Sequence, residues 1–300
     1  MKQPTALGVW APLVTLWIVW GSTYLGLSEV VKSMPPLIAT GSRYFVASLC
    51  LGIGVLIFRG VAPFRITRRE LFSGAIMGLG IISIWAAALA LGQRYVPGGI
   101  AALIGASIPL WIVLFRLLNG DRPSRLTGAG VMIGITGIVM MLLPGGIVSV
   151  NGAAPGAVLF WCFAILVGCI SWAFFSWRAK SFAVPANSLV TATLQMLMAG
   201  VALMAVGILI GERIEFGSYL SVSVIGWIWL VIASIIGYSA FTFLISRAPI
   251  SLVSTFPYVN PVVAVLLGWL VLAEPLSRSI LIGLTVVLGG VVLVVKGERA

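Results

Sequence analysis

An internal repeat constrains the fold of this chain more than any other feature of its sequence. A shift of 152 residues lays 71–143 on 223–295 without a gap, and every proline of the first stretch falls on a proline of the second. The proline pairs are Pro97 with Pro249, Pro109 with Pro261, and Pro123 with Pro275. We therefore expect two copies of one structural unit, over residues 1–148 and 149–300.

The composition indicates that these two units lie in a lipid bilayer. Apolar residues make up 61% of the 300 residues, charged residues make up 8%, and the mean hydropathy is +1.18. Soluble domains carry about one quarter charged residues, and a soluble fold of this size cannot bury so much apolar side chain. We therefore expect an all-α membrane protein.

Long apolar windows predict ten transmembrane helices, because one crossing needs about 20 apolar residues, and most of these windows are free of charged residues. The apolar run 126–177 is too long for one crossing, and Pro144-Gly145-Gly146 divides it. The predicted spans are 9–28, 36–58, 71–92, 97–118, 126–143, 156–177, 187–210, 223–245, 250–273 and 279–295. Each copy of the repeat therefore contains five predicted spans.

Basic residues are distributed unequally between the two ends of these spans. With the N-terminus inside the cell, thirteen Lys and Arg residues fall inside, four fall outside, and Arg43 lies within a span. Because basic residues concentrate on the cytoplasmic side, we expect both termini in the cytoplasm. The net charge of +11 then reflects topology, and we expect no nucleic-acid partner. Since five is odd, the second copy crosses the membrane upside down, as an inverted repeat.

Five short motifs stand in a fixed order along the chain. They are Trp20-Gly21-Ser22-Thr23-Tyr24, Pro35-Pro36, Arg43-Tyr44-Phe45, Ala248-Pro249 with Pro261, and Ala273-Glu274-Pro275-Leu276. In this order and spacing they resemble the EamA-type members of the drug/metabolite transporter superfamily, over nearly the whole chain. The first half departs from the last motif, since Asp121-Arg122-Pro123 stands there.

The resemblance implies a basket-like fold of ten helices in two five-helix halves, with a central cavity lined by every helix except the fifth and tenth. It also implies export of small metabolites, including aromatic and other amino acids, across a bacterial inner membrane. Inverted-repeat transporters bind substrate near the midplane, where the halves meet. We therefore expect a small-molecule substrate and the lipid bilayer to be the partners of this chain.

Arg43 lies about 10 Å along the second span by helical rise, and Gln195 is its counterpart in the repeat. Charges inside membranes usually serve function, and a planar guanidinium suits a carboxylate. We therefore predict that both side chains bind substrate. In the alternative, Arg43 is structural and either snorkels to the surface or ties helices through carbonyl groups. The resembling family keeps this arginine across diverse substrates, which favours the structural role.

Prolines interrupt the fourth and ninth spans. Pro257 and Pro261 are four residues apart, and Pro109 is the repeat counterpart of Pro261. Proline leaves backbone carbonyls unpaired, which is tolerated in lipid only beside protein or a cavity. We predict that the three prolines act as hinges or gates and that Tyr258 and Asn260 face the cavity. The alternative is a simple kink with Tyr258 packed against a neighbouring helix.

Aromatic residues lie deep in several predicted spans. They are Trp20, Tyr24, Trp85, Trp172 and Tyr238. Trp20 and Tyr24 are four residues apart and therefore share a helix face. Tryptophan and tyrosine combine an apolar ring with a hydrogen-bonding group. Each residue alone has core packing as its alternative, but the set, together with Tyr258, predicts a substrate cavity with an aromatic lining.

Acidic residues lie only at or beyond the ends of the predicted spans, and histidine is absent. Proton-coupled transporters usually carry an ionisable group within the membrane, so we expect uncoupled, facilitated export by alternating access. The alternative is ion coupling, through a sodium site built from carbonyls and Asn260. The three cysteines lack the spacing of a metal or redox site, and we expect neither a metal nor a cofactor.

Other functions and assemblies remain open at this point. A channel, a lipid flippase and an ion-coupled exporter of other metabolites or drugs are the functional alternatives. Catalysis is not expected, because the chain lacks paired carboxylates within its spans, a nucleophile with a base, and a phosphate loop. Glycines on the fifth and tenth spans allow close helix packing, either within one chain or in a dimer. We expect a monomer.

Overall fold

The computed structural model describes residues 6–96, 101, 104–121, 123–142, 154–215, 217–272 and 278–297. Within these ranges the regular secondary structure is helical, without a strand. Six helices are long and apolar enough to cross a membrane. The chain is therefore an all-helical membrane protein over the part that the structure describes. Pro97 and the motif 273–276 lie outside the described residues.

The helices are numbered in chain order, and the bounds of most of them follow the predicted spans closely, whereas α4 begins at Ile108 in the predicted span 97–118 and α9 begins at Phe256 in the predicted span 250–273. They are α1 Ala6–Val30, α2 Pro36–Arg59, α3 Arg68–Gly92, α4 Ile108–Leu118, α5 Arg125–Leu142, α6 Pro155–Arg178, α7 Ser188–Leu209, α8 Ser221–Arg247, α9 Phe256–Leu272 and α10 Arg278–Gly297. The six clear spans are α1, α2, α3, α6, α7 and α8. The other four lie near stretches outside the described residues, so ten crossings stay a prediction.

Helix α3 contains a π-helical turn, Gly78–Ser83, which periodicity did not predict. Gly78 permits close packing there, because a Cβ atom would lie 2.5 Å from the carbonyl oxygen of Gln195 on α7. Side chains satisfy carbonyls of this turn: the Ser171 hydroxyl donates to the Gly80 carbonyl at 2.7 Å. Turns of this kind often occur at functional sites.

The described helices pack as antiparallel pairs. The pairs are α1 with α8, α2 with α7, α3 with α6, and α5 with α10. We call the end of the bundle at which α1 begins the inner end, and the end at which α1 finishes the outer end. A shift of 152 residues exchanges the α1–α8 pair with the α6–α3 pair.

Glycines bring α5 and α10 into direct backbone contact. A Cβ atom on Gly130 would lie 2.7 Å from the Gly290 carbonyl oxygen, and one on Gly137 would lie 2.8 Å from the Gly283 carbonyl oxygen. Tyr258 of α9 packs on the same pair, against Gly134. The small-residue faces noted in the sequence are therefore used for packing within one chain.

Candidate functional site

Breaks in the fourth and ninth helices place backbone beside the middle of the bundle. A turn at 106–107 precedes α4, and a turn at 254–255 precedes α9. Pro109 and Pro257 are the second residues of these helices, where a missing N–H costs little because it lacks a helical partner anyway. The ninth span is thus divided into a single-turn helix, Ile250–Val253, and α9.

A central cavity of about 60 Å³ lies where α1, α2, α3, α4, α6, α8 and α9 meet. Its lining residues are Trp20, Thr23, Tyr24, Leu27, Arg43, Tyr44, Trp85, Leu89, Gly105, Ile108, Trp172, Ser234, Tyr238, Phe256, Pro257 and Asn260. Both halves of the chain contribute, and most of the wall is aromatic or aliphatic. The cavity therefore suits a ligand with a large apolar part.

Trp20 forms the centre of an aromatic cluster that makes one wall of the central cavity. Its ring centroid lies 4.7 Å from Phe256, 5.1 Å from Tyr238 and 5.4 Å from Trp172. All three contacts are edge-to-face, which is a favourable arrangement of aromatic rings. Gly237 permits this position, because a Cβ atom there would overlap the Trp20 indole nitrogen.

Arg43 is buried inside the bundle, with 7% of its surface exposed, and does not snorkel to the surface. Its Nη2 atom donates to the Tyr44 hydroxyl at 2.8 Å, and that hydroxyl lies 3.3 Å from the hydroxyl of Tyr238. The guanidinium carbon lies 4.4 Å from the Tyr44 ring centroid. These contacts link α2 to α8 through side chains. The Nε atom of Arg43 has no hydrogen-bond partner within the described ranges of the chain.

Asn260 adds a second buried polar group to the cavity wall. Its side chain is 3% exposed, and its Oδ1 atom has no hydrogen-bond partner among the residues that the structure describes. Among the described residues, ion pairs join Lys32 to Glu29 and Arg116 to Asp121, and no carboxylate pairs with Arg43. The cavity therefore holds an uncompensated positive charge together with an unused acceptor. Such groups are costly within a membrane and mark functional sites.

Seven of the nine predicted substrate-binding residues meet at the central cavity. They are Trp20, Tyr24, Arg43, Trp85, Trp172, Tyr238 and Asn260. Of the predicted hinge prolines, Pro257 lines the cavity, while Pro109 and Pro261 each adjoin a lining residue in the chain. Their roles in binding and gating stay predictions.

Gln195 and Tyr258 lie away from the central cavity. Tyr258 is fully buried in a separate cluster between α5, α9 and α10, where its hydroxyl donates to the Val131 carbonyl at 3.3 Å. This placement corrects the expectation that Tyr258 faces the cavity. Gln195 lines a second cavity, of about 190 Å³, between α3, α7 and α8. We call this the inner cavity, because its residues lie toward the inner end.

Sequence reasoning missed Tyr44 and Phe256 on the wall of the central cavity, and Phe241, which packs against Trp20 from outside that wall. Tyr44 follows Arg43 directly, and Phe241 lies three residues after Tyr238, so helical spacing places Phe241 near the same face. Phe256 precedes Pro257 and contacts Trp20. Helical spacing from the predicted residues was therefore the signal that pointed to Phe241.

Among the described residues, the membrane-crossing helices surround a cavity in which Arg43 has no carboxylate partner and Asn260 Oδ1 has no hydrogen-bond donor. A site of this kind is typical of membrane transporters of small molecules. The sequence profile of the EamA-like transporter family matches residues 9–143 and 159–296. The chain belongs to this family, within the drug/metabolite transporter superfamily, which confirms the resemblance seen in its motifs.

Relatives of the chain extend over nearly its whole length. It is 35% identical over 302 residues to an uncharacterized inner membrane transporter, YedA, of Escherichia coli strain K12, covering 99% of this chain and 94% of that protein. It is 25% identical over 283 residues to protein PecM of Dickeya dadantii, covering 92% and 88%. A solved crystal structure with 22% identity superposes with a TM-score of 0.78 over 96% of each chain, which shows a shared fold.

Proposed function

We propose that this transporter exports small amphipathic metabolites, foremost amino acids and among them aromatic ones, by alternating access and without ion coupling. The observation that carries the proposal is the buried guanidinium of Arg43, which no carboxylate among the described residues neutralises. A substrate carboxylate would supply the missing negative charge. Its binding would also give the Nε atom of Arg43 a hydrogen-bond acceptor.

The other groups of the central cavity fit the rest of an amino acid. The unpartnered Oδ1 atom of Asn260 accepts hydrogen bonds, and a substrate ammonium group donates them. The cluster around Trp20 and Trp172 offers ring edges and faces to an apolar or aromatic side chain. A zwitterion with an apolar side chain therefore matches the charge, hydrogen-bonding and apolar character of the wall.

Two features support alternating access. Known ligand sites usually have volumes of about 300–1,000 Å³, whereas the central cavity is about 60 Å³, so the bundle must open around a bound amino acid. Counterpart helices of the repeat, α2 and α7, run antiparallel in contact with each other. That arrangement supports two inverted five-helix halves, which rock against each other around a site at their interface.

The lining of the central cavity supports transport without ion coupling. It contains no Asp, Glu or His among the described residues, so this part of the cavity offers no usual proton relay. The relative named as an inner membrane transporter supports the inner membrane as the location of this chain.

Flux through proteoliposomes tests the substrate class. We expect saturable uptake and counter-transport of radiolabelled L-phenylalanine within a panel of amino acids. Arg43→Met should lower apparent affinity by about 30-fold or more, since loss of a buried charge partner costs ~2 kcal/mol or more. Arg43→Lys, which retains charge but not the planar fork, should lose less. Arg178→Met, at an exposed arginine outside the cavity, is the control.

Several outcomes would overturn this proposal. Equal flux with Arg43→Met and wild type would remove the central cavity as the binding site. Unsaturable flux without counter-transport would indicate a channel, and translocation of labelled lipid headgroups without amino-acid flux would indicate a flippase.

Imposed ion gradients test coupling. With equal L-phenylalanine on both sides, neither a pH gradient nor a sodium gradient should drive accumulation, because the described cavity offers no carboxylate or histidine to carry the ion. Dissipating the gradient with an ionophore provides the control. Accumulation above the external concentration would contradict uncoupled transport, while leaving the substrate class intact.

A further inference from the structure

The inner cavity is lined by a buried polar side chain that is not part of the central cavity. The volume of the inner cavity is about 190 Å³, which exceeds the 60 Å³ of the central cavity. Met77, Ile81 and Phe182 give it an apolar wall, and Gln195 and Thr242 add polar groups. A cavity that combines apolar walls with a few polar groups has the general character of a binding site.

Gln195 is the polar group without an adequate partner. Its side chain is 1% exposed, and within the part of the chain that the structure describes its Oε1 atom has no hydrogen-bond partner and its Nε2 atom donates only to the Met77 sulfur, at 3.8 Å. The nearby hydroxyl of Thr242 donates to backbone carbonyls, including that of Ser188 at 3.0 Å. Buried amides normally have partners, so Gln195 is suited to receive an N–H donor from a ligand.

Phe241 stands between the two cavities. It lines the inner cavity, and its ring centroid lies 5.4 Å from that of Trp20 and 5.5 Å from that of Trp172, both of which line the central cavity. On the same helix, Tyr238 lines the central cavity and Thr242, one turn later, lines the inner cavity. The Phe241 ring therefore forms a partition between two adjacent polar sites.

We propose that the inner cavity is a second binding station for small amphipathic zwitterions and that Phe241 is the gate between the two stations. The substrate ammonium donates to Gln195 Oε1, and its apolar part packs on Met77 and Phe182. The exposed Lys180, also on the cavity wall, attracts the carboxylate. This inference rests on the transport function proposed above.

Protection of a thiol by bound L-phenylalanine tests the second station. Ser246→Cys, at an exposed residue of the inner cavity wall, is made in a chain whose three cysteines are replaced by alanine. L-Phenylalanine at ten times its Kd for the inner cavity should slow the alkylation of this cysteine by maleimide about tenfold, because about one inner cavity in eleven is then unoccupied. Absence of protection would overturn the second station.

Substitutions of Gln195 and Gln93 then assign the station. Gln195→Met, or Gln195→Leu if the first variant is unstable, should abolish protection of Ser246→Cys. Gln93→Met is the matched control, because Gln93 is also buried without a hydrogen-bond partner but lines neither cavity. Equal loss of protection with both substitutions, or retention with Gln195→Met, would contradict the assignment to Gln195.

Arg43→Met separates this inference from the proposed function. Two stations predict that Arg43→Met impairs L-phenylalanine flux but leaves the protection of Ser246→Cys in place. Loss of protection in a stably folded Arg43→Met chain would mean a single site and would overturn the second station while the transport proposal stands. Absence of wild-type L-phenylalanine flux, by contrast, would remove the transport proposal itself.

Access to the central cavity tests the gate. The readout is the rate at which a small thiol reagent labels Ser234→Cys, a position on the wall of the central cavity, in vesicles that expose the inner end of the protein to the medium. Phe241→Ala should raise this rate several-fold. Phe243→Ala, two residues away and lining neither cavity, is the control. An unchanged rate with Phe241→Ala, or an equal rise with Phe243→Ala, would overturn the gating role.

Discussion

The position of Trp20 depends on the absence of a side chain at Gly237. The indole occupies the place that a Cβ atom of this glycine, on the neighbouring helix α8, would take, and from there it contacts four other aromatic rings. A close approach of this kind cannot tolerate a methyl group. The wall of the central cavity is therefore set as much by a glycine as by its aromatic residues.

Gly237→Ala should impair transport of aromatic amino acids. The added methyl group must displace Trp20, and overpacking of this kind costs about 1–3 kcal/mol. We expect a raised KM for L-phenylalanine and a lower Tm in detergent. Gly54→Ala is the control, since a Cβ atom at Gly54 meets open space within α2, and it should leave the KM unchanged without lowering the Tm. Unchanged flux with Gly237→Ala would show that the Trp20 position does not matter for transport.

Periodicity predicted the cavity residues well where two of them shared a helix face. It predicted them poorly where the rotation of the helix about its axis determines which side chain faces the cavity. Trp20 and Tyr24, four apart, both line the central cavity. Tyr258 and Asn260 are only two apart, so they point in different directions along α9, and only Asn260 reaches the cavity. Sequence spacing alone does not establish which of two such residues faces inward.

Close packing of α5 with α10 depends on glycines on one face of each helix. A Cβ atom on Gly290 would lie 2.6 Å from the backbone nitrogen of Gly134. Because the clashing atom belongs to the backbone, it cannot move aside as the end of a flexible side chain could. The next residue back, Gly289, is exposed, and a Cβ atom there meets nothing within 4 Å. Of these two adjacent glycines, Gly289 can therefore accept a side chain and Gly290 cannot. This face is therefore occupied within the chain, and a monomer stays the expectation.

Gly290→Ala should destabilise the protein, whereas Gly289→Ala should not. The first forces the two backbones apart, at about 1–3 kcal/mol for overpacking. The second removes a flexible residue from a helix and should stabilise it by roughly 0.5–1 kcal/mol. Thermal unfolding in detergent measures both, and size-exclusion chromatography reports the oligomeric state. Equal Tm values for the two variants would contradict the packing role of Gly290.

Most helix ends and the proline interruptions of the fourth and ninth spans were predictable, but the π-helical turn within α3 was not. Charged residues and prolines at the membrane boundaries predicted α2 at 36–58 and α7 at 187–210, close to the observed Pro36–Arg59 and Ser188–Leu209. The π-helical turn in α3 has no such local signal, because it depends on Gly78 meeting the backbone of a distant helix. Contacts between segments far apart in sequence decide features of this kind.

For the whole molecule, the charge pattern and the helix directions lead to one expectation. At the inner end lie Arg59, Arg178, Lys180 and Arg247, and at the outer end lie Lys32, Arg94 and Arg213. Excess positive charge marks the cytoplasmic side, so the inner end should face the cytoplasm. Helix α2 then runs inward, and its repeat counterpart α7 runs outward, as an inverted repeat requires.

Single-cysteine labelling in intact cells tests this topology. In a chain whose three cysteines are replaced by alanine, Lys32→Cys and Arg213→Cys should react with a membrane-impermeant maleimide. Val61→Cys and Lys180→Cys should react only after permeabilisation. All four positions are partly or fully exposed, so unequal labelling should reflect the side of the membrane. Val61 and Lys180 adjoin the inner ends of α2 and α7, and the other two positions adjoin their outer ends.

The pattern of labelling distinguishes inversion from its alternatives. If Lys32→Cys and Val61→Cys label as predicted but Lys180→Cys and Arg213→Cys exchange their behaviour, the halves run parallel and rocking of inverted halves is lost. If all four positions exchange, the repeat is inverted but the termini face the periplasm, and the inner cavity would then open outward. The predicted pattern would place the inner cavity on the cytoplasmic side, where an exporter receives its substrate.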